Sequence, residues 1–264
     1  MRKHRCFNKA ALIAGIHGYA LLLFWTIGSA TSVAGEVRVA VAANFLATLN
    51  EIVSTFEQAT GHAAAVSSGS SGKLYAQIKN GAPFDVFLSA DVTRPKLMEE
   101  EGLAVQGSRF TYAVGRLTLW SPGPVVIEGN GTSMLLSDRV EYVAIANPKT
   151  APYGAAAKEV LQALGLWERL QNRLVRGENI GQTFHFVFSK NAQLGFVALS
   201  QVLGPKISGT GNRWDVPAHL HAPLRQQAVL LRHGQRNEAA RALLDYVKEA
   251  TSRNIIERFG YALE

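Results

Sequence analysis

The sequence predicts an α/β protein, and three observations carry that prediction. Short β-branched runs alternate with segments whose apolar residues recur at helical spacing, the pattern of strands wrapped by helices. Residues suited to a helix entry stand directly after such runs, at Asn44 and in Ser67-Ser68-Gly69-Ser70-Ser71-Gly72-Lys73. A long extended run, Thr111–Trp120, is placed to cross between two domains. A chain of 264 residues, 47% hydrophobic and 18% charged, can fill one or two such domains.

Taken in order, Val37–Ala42 reads as a buried strand. Phe45, Leu49, Ile52, Val53 and Phe56 trace one face of a helix that ends at Gly61, with Asn44 as its expected N-cap. Ala63–Val66 is the next strand, and the serine cluster opens a helix carrying Leu74 and Ile78. Phe84–Leu88 is a third strand, after which Ser89-Ala90-Asp91 caps a helix with Leu97 and Met98. Ser121-Pro122-Gly123-Pro124 and Gly129-Asn130-Gly131 read as turns. Tyr142–Ala146 is a strand, and Asn147–Gly154 leads into a helix with Ala157, Val160, Leu161 and Leu164 on its apolar stripe. Pro152 suits its first turn. Glu178–Gln182 opens a helix through Phe188, Leu194–Ala198 is a strand, and Leu203–Asp215 is a polar return. Ala228–Leu231 is a strand, and Ala242, Leu243, Tyr246, Val247 and Ala250 mark one closing helix.

Residues 1–34 read as a secretory signal peptide. Arg2, Lys3, Arg5 and Lys9 precede a run, Ala10–Ala34, without Asp, Glu, Lys or Arg, and Ser32-Val33-Ala34 fits a cleavage site. An uncleaved anchor is the alternative that the length of the apolar run leaves open. Cleavage would lower the formal net charge from +7 to +3, because only four positive charges leave. The basicity is therefore mostly a targeting feature, and the mature chain carries no basic patch with interleaved aromatics for nucleic acid. The single cysteine, Cys6, leaves with the signal, which excludes disulfides, thiolate metal sites and cysteine catalysis.

The serine cluster is the centre of the functional reading. Serine caps a helix by accepting from a backbone N–H, and the free N–H groups of the first turn then face outward with the positive end of the helix dipole. With added hydroxyl donors this makes an anion cradle without formal charge. A flexible Ser/Gly linker is the plain alternative, but the Leu74–Ile78 helix and the strand that follows make a compact unit instead. A phosphate loop fails, since Leu74 follows Lys73 and the first glycine is missing. A serine hydrolase lacks a triad order among His62, His185, His219, His221 and His233. His219-Leu220-His221 could put two imidazoles on one strand face, but no third metal ligand accompanies them.

Several strings together resemble the periplasmic molybdate-binding proteins of ABC uptake systems. They are Val39-Ala40-Val41-Ala42-Ala43-Asn44-Phe45, the serine cluster with Lys73-Leu74, Gly81–Asp91, and Asn147-Pro148 through Tyr153-Gly154, and the likeness spans residues 36–264. The resemblance implies a two-lobed type II periplasmic binding protein fold. Each lobe is then a mostly parallel sheet flanked by helices, with the ligand in the cleft between lobes. Residues 35–114 and 225–264 would form lobe I and residues 115–224 lobe II. It implies no enzyme activity, no catalytic residue and no cofactor. The ligand would be molybdate or tungstate, held by Asn44 with the backbone at Ala43, by Ser71, by Tyr153 and by the Ile180 N–H. Molybdenum would be present only as the bound oxyanion. Some relatives place a tyrosine contact where this chain reads Gly195-Phe196-Val197-Ala198, so a fifth contact is left without a residue. The implied partners are the permease and ATPase subunits of an ABC transporter, the implied state a monomer and the implied location the periplasm.

A fully deprotonated tetrahedral dianion offers only acceptors, so a site lined only with donors suits it, while a protonated phosphate would leave its O–H unmatched. Hydrogen bonds to an ionised partner contribute about 1.5–3 kcal/mol each. The nearest rival is a sulfate or thiosulfate receptor of the same fold, which would use the same donors in a tighter cavity.

Overall fold

The computed structural model describes residues 34–123, 127, 129, 131–204, 207 and 209–264. Residues 1–33 of the expected signal peptide, all but Ala34, lie outside the described residues, as do Pro124 and Asn130 of the two expected turns.

The first part of the chain runs β1 (Glu36–Ala42), a 3-10 turn (Ala43–Phe45), α1 (Leu46–Thr60), β2 (Ala63–Gly69), α2 (Ser71–Lys79), β3 (Val86–Ser89), α3 (Thr93–Glu100) and β4 (Phe110–Gly115). The middle part follows as β5 (Leu117–Ser121), α4 (Thr132–Leu136), β6 (Val143–Ala146), α5 (Pro152–Ala163) and α6 (Trp167–Leu170). Next come β7 (Leu174–Gly177), α7 (Ile180–Phe188), β8 (Leu194–Ala198), α8 (Leu199–Leu203) and β9 (Asn212–Asp215). The chain closes with β10 (Leu224–Leu230), α9 (Glu238–Lys248) and α10 (Ala250–Arg258).

The strands form two five-stranded sheets, one ordered β2-β1-β3-β10-β4 and the other β7-β6-β8-β5-β9. In the first lobe β1 pairs in parallel with β2 and β3, and β10 runs antiparallel to β3 and β4. In the second, β6 pairs in parallel with β7 and β8, and β5 runs antiparallel to β8 and β9. One strand in each sheet thus opposes the rest. It is the strand that enters from the other lobe: β5 directly after β4, with only Arg116 between them, and β10 after β9.

The strand sequences explain the layering. Val37, Val39 and Val41 of β1 pack with Leu49, Ile52 and Phe56 of α1, while Ala40 points into a second cluster with Leu74 and Ile78 of α2. A strand buried on both faces reads as a continuous apolar run, as parallel strands do.

Several elements differ from the sequence reading. β2 continues through Ser67, Ser68 and Gly69, because each pairs in register with Ala40, Val41 and Ala42 of β1. β10 begins at Leu224, where pairing with β4 starts, with a bulge between Gln226 and Gln227. The expected single closing helix is two helices, broken at Glu249, whose extended backbone (φ −69°, ψ 157°) cannot continue a helix. The polar return carries β9, whose pairing with β5 its sequence did not announce. His219 lies in a short 3-10 turn, Ala218–Leu220, so the two imidazoles do not share a strand face.

Candidate functional site

Four helix entries meet at the cleft, each following the end of a parallel strand. β1 leads into the Ala43–Phe45 turn, β2 into α2, β6 through a short loop into α5, and β7 into α7. This is where open α/β sheets bind ligands. The five residues expected from the sequence, Ala43, Asn44, Ser71, Tyr153 and Ile180, all line one small cavity there, together with Ala42, Ser70, Ala90, Ala151 and Pro152. Its volume is about 10 Å³, far below the roughly 300–1,000 Å³ of sites for organic ligands. None of these described lining residues carries a charge.

Ser70, not Ser71, is the N-cap of α2; its Oγ accepts from the Lys73 N–H at 3.4 Å. Ser71 is the first helical residue and fully buried. Its Oγ accepts from the Ala90 N–H at 3.0 Å, which orients the hydroxyl and leaves its own proton to donate.

Asn44 does not cap α1 as expected. The residue before α1 is Phe45, without a side-chain cap, and Asn44 turns its amide inward. Asn44 Nδ2 donates to Gln226 Oε1 at 2.8 Å and to Tyr261 Oη at 3.1 Å. Both amide protons are thereby engaged, so what this turn can offer an anion is its backbone N–H groups, at Ala43 and Asn44.

Tyr153 is seated by two local features. Pro152 occupies the first turn of α5, where its missing N–H is not needed. A Cβ on Gly154 would lie 2.2 Å from the Ala146 carbonyl oxygen, so only glycine lets α5 come down over the end of β6. Tyr153 Oη accepts from Gln226 Nε2 at 3.2 Å. Burial raises its pKa well above the usual 10, reinforced by Tyr261 and opposed by the Gln226 amide that donates to it and by the nearby Asn44 amide. Tyr112 is likewise pushed well up by burial, and Tyr261 to about 12. All three are neutral hydroxyls at physiological pH.

Ile180 is the first residue of α7, behind the N-cap Asn179, whose Oδ1 accepts from the Gln182 N–H at 2.9 Å. Gln201 ties this entry down, donating to the Ile180 carbonyl at 3.1 Å and accepting from the Ala198 N–H at 3.0 Å. Ala198 does not line the cavity.

The sequence reading missed the layer behind the cavity: Tyr112, Ser200, Gln226 and Tyr261. Gln226 is fully buried in β10, and Tyr112 Oη donates to its Oε1 at 3.0 Å. Ser200 Oγ donates to the Asn44 carbonyl at 3.0 Å. Nothing in Leu224-Arg225-Gln226-Gln227-Ala228 announces this, because a polar residue in a strand ordinarily faces water. Charged side chains nearby pair with each other. Lys73 meets Glu178 across the cleft, beside a backbone bond from the Gly72 N–H to the Thr150 carbonyl at 2.9 Å. A wider groove of about 710 Å³ adjoins the cavity and shares Ala90, Ala151 and Pro152 with it. It holds Arg94, Lys149 and Arg225 but also Asp91 and Glu159, so its chemistry selects no one charge.

Residues 37–262 match the family described as bacterial extracellular solute-binding protein. The chain belongs to that family. Among its relatives, the molybdate-binding protein ModA of Azotobacter vinelandii is 51% identical over 88% of this chain and 91% of its own length. The molybdate-binding protein ModA of Rhodobacter capsulatus is 48% identical, over 96% of this chain and 97% of its own. A solved structure of the Azotobacter vinelandii periplasmic molybdate-binding protein superposes with a TM-score of 0.83 at 41% identity, covering 86% of this chain and 99% of that one. Members of this solute-binding family are binding proteins, not enzymes, and the two-lobed α/β fold is theirs.

Proposed function

We propose that the protein is an extracytoplasmic receptor for molybdate, and equally for tungstate, that hands its ligand to the permease and ATPase subunits of an ABC transporter. One observation carries the reading: four helix entries converge on one small cavity lined by neutral groups. Backbone N–H groups at Ala43, Asn44 and Ile180 with the hydroxyls of Ser71 and Tyr153 would hold the four oxygens. Donors without acceptors match a deprotonated tetrahedral dianion, and dipoles at helix entries supply positive potential without a cation. The names of the relatives support the choice of metal.

In this reading residues 1–34 are a cleaved signal peptide and the receptor works in the periplasm as a monomer. Residues 35–114 with 225–264 form lobe I and 115–224 form lobe II, and they close on the anion by rotation about the strands that join them. Calorimetric titration of the purified exported protein tests the assignment. Molybdate and tungstate are expected to bind one to one with micromolar to nanomolar affinity, and sulfate to give no heat. Tight sulfate binding would make this a sulfate-type receptor, and silence from all three anions would remove the oxyanion assignment.

A further inference from the structure

Behind the cavity the hydrogen bonds run in one direction. Asn44 Nδ2 donates to Gln226 Oε1, which also accepts from Tyr112 Oη. Gln226 Nε2 then donates to Tyr153 Oη. A tyrosine hydroxyl has one proton; once its oxygen accepts from behind, that proton is what it presents in front. Glycine at position 115 leaves room for this contact, since a Cβ there would lie 2.1 Å from Tyr153 Oη and 2.6 Å from Gln226 Nε2.

We infer that Gln226 is a positioning and specificity-determining residue. By donating to Tyr153 Oη, it keeps the site a pure donor site, and so selects fully deprotonated tetrahedral oxyanions against those that keep a proton. The inference rests on the oxyanion assignment of this cavity. Gln226 touches no ligand; it acts through the direction in which Tyr153 points its proton. Were that direction reversed, Tyr153 would show the cavity an oxygen lone pair, which repels an unprotonated oxyanion and welcomes the O–H of a protonated one.

The test compares molybdate with hydrogen arsenate, a tetrahedral anion that keeps a proton near neutral pH, by calorimetry on the full exported protein. Gln226→Glu is nearly isosteric. As a carboxylate it can only accept, so it draws the Tyr153 proton to itself. Relative to wild type at the same pH, its molybdate-to-arsenate affinity ratio is expected to fall at least about tenfold near pH 8. It should recover toward about pH 6, where a buried carboxyl is protonated and donates again. The titratable groups around Gln226 are Tyr112 and Tyr153, with Tyr261 beyond Asn44 and the Asp91 carboxylate acting on Tyr112. A simple charge effect would instead weaken both anions equally and leave the ratio where it was, which would overturn the inference.

A double-mutant cycle of Gln226→Met with Tyr153→Phe gives the uncharged version. Gln226→Met is expected to cost about tenfold in molybdate affinity when Tyr153 is present and less than about twofold when it is Phe. Additive losses would likewise overturn it. If wild type binds no molybdate, the assignment of the cavity fails and the inference falls with it; if wild type binds and the cycle is additive, only the role of Gln226 falls.

Discussion

In the first lobe Val37, Val39 and Val41 of β1 share a core with α1 while Ala40 belongs to the cluster on the other face. In the second, Val143 and Ile145 of β6 share a core with Ala157, Val160 and Leu161 of α5, while Ala144 joins Val187 of α7. Both sheets place a central parallel strand and its edge neighbour so that the helices after them start at the cleft. The scaffolds are thus alike, and the difference lies in what each holds out. Lobe one offers a short hydroxyl, Ser71, fixed by a backbone N–H of its own lobe. Lobe two offers a long one, Tyr153, fixed by Gln226 of the opposite sheet. One contact is complete before the lobes meet; the other needs both lobes.

Gly115 is where that dependence is most exposed. Gly115→Val would drive both Tyr153 Oη and Gln226 Nε2 from their places. The largest effect is expected here: a loss of about 100-fold or more in molybdate affinity, since the Tyr153 contact with the anion and the Gln226 contact that orients it are both disturbed. Gly115→Ala, checked for an intact thermal transition, should show the same direction. Wild-type affinity in either would mean that Tyr153 is not held through lobe one.

Removing the donors one lobe at a time sharpens the contrast. Ser71→Ala and Tyr153→Phe are each expected to weaken binding by about 10- to 150-fold. Each also strands a buried donor, the Ala90 N–H or Gln226 Nε2, at about 1–3 kcal/mol of stability without ligand. Denaturant unfolding of the two variants reads that cost. A binding loss confined to one variant would assign the anion to one lobe.

The smallest effect belongs to Lys73→Met, which removes the cleft-spanning ion pair with Glu178. Both side chains are more than half exposed, so the pair is worth little. Affinity should change less than about fivefold at low salt, and the change should vanish as salt rises. A large, salt-resistant loss would show that closure depends on this pair.

What the sequence made legible follows from locality. The stripe Leu49, Ile52, Val53 and Phe56, the entry at Pro152 and the helix opening within Glu178–Gln182 are set by neighbours within a few residues, and they were readable. β9 and the start of β10 were not, because strand pairing with distant partners made them. The same division runs through the site. Ser71 and Tyr153 announce themselves as helix entries after strands, while the strand before Ile180, β7, was not readable and only its helix was. Gln226 lies 73 residues from Tyr153 and 182 from Asn44, and its meaning exists only once the two sheets face each other. Asn44 shows both sides: its place was legible, but the direction of its amide was set by Gln226 and Tyr261.

The uncharged lining of the cavity matters when the ligand leaves. A receptor that gripped an anion with a buried arginine or lysine would strand that cation in a dry cleft on release, at a cost of several kcal/mol. Here departure exposes amide dipoles and hydroxyls, which water can satisfy as the lobes part. The vacated protein can therefore reset for another round with no ion to rehydrate.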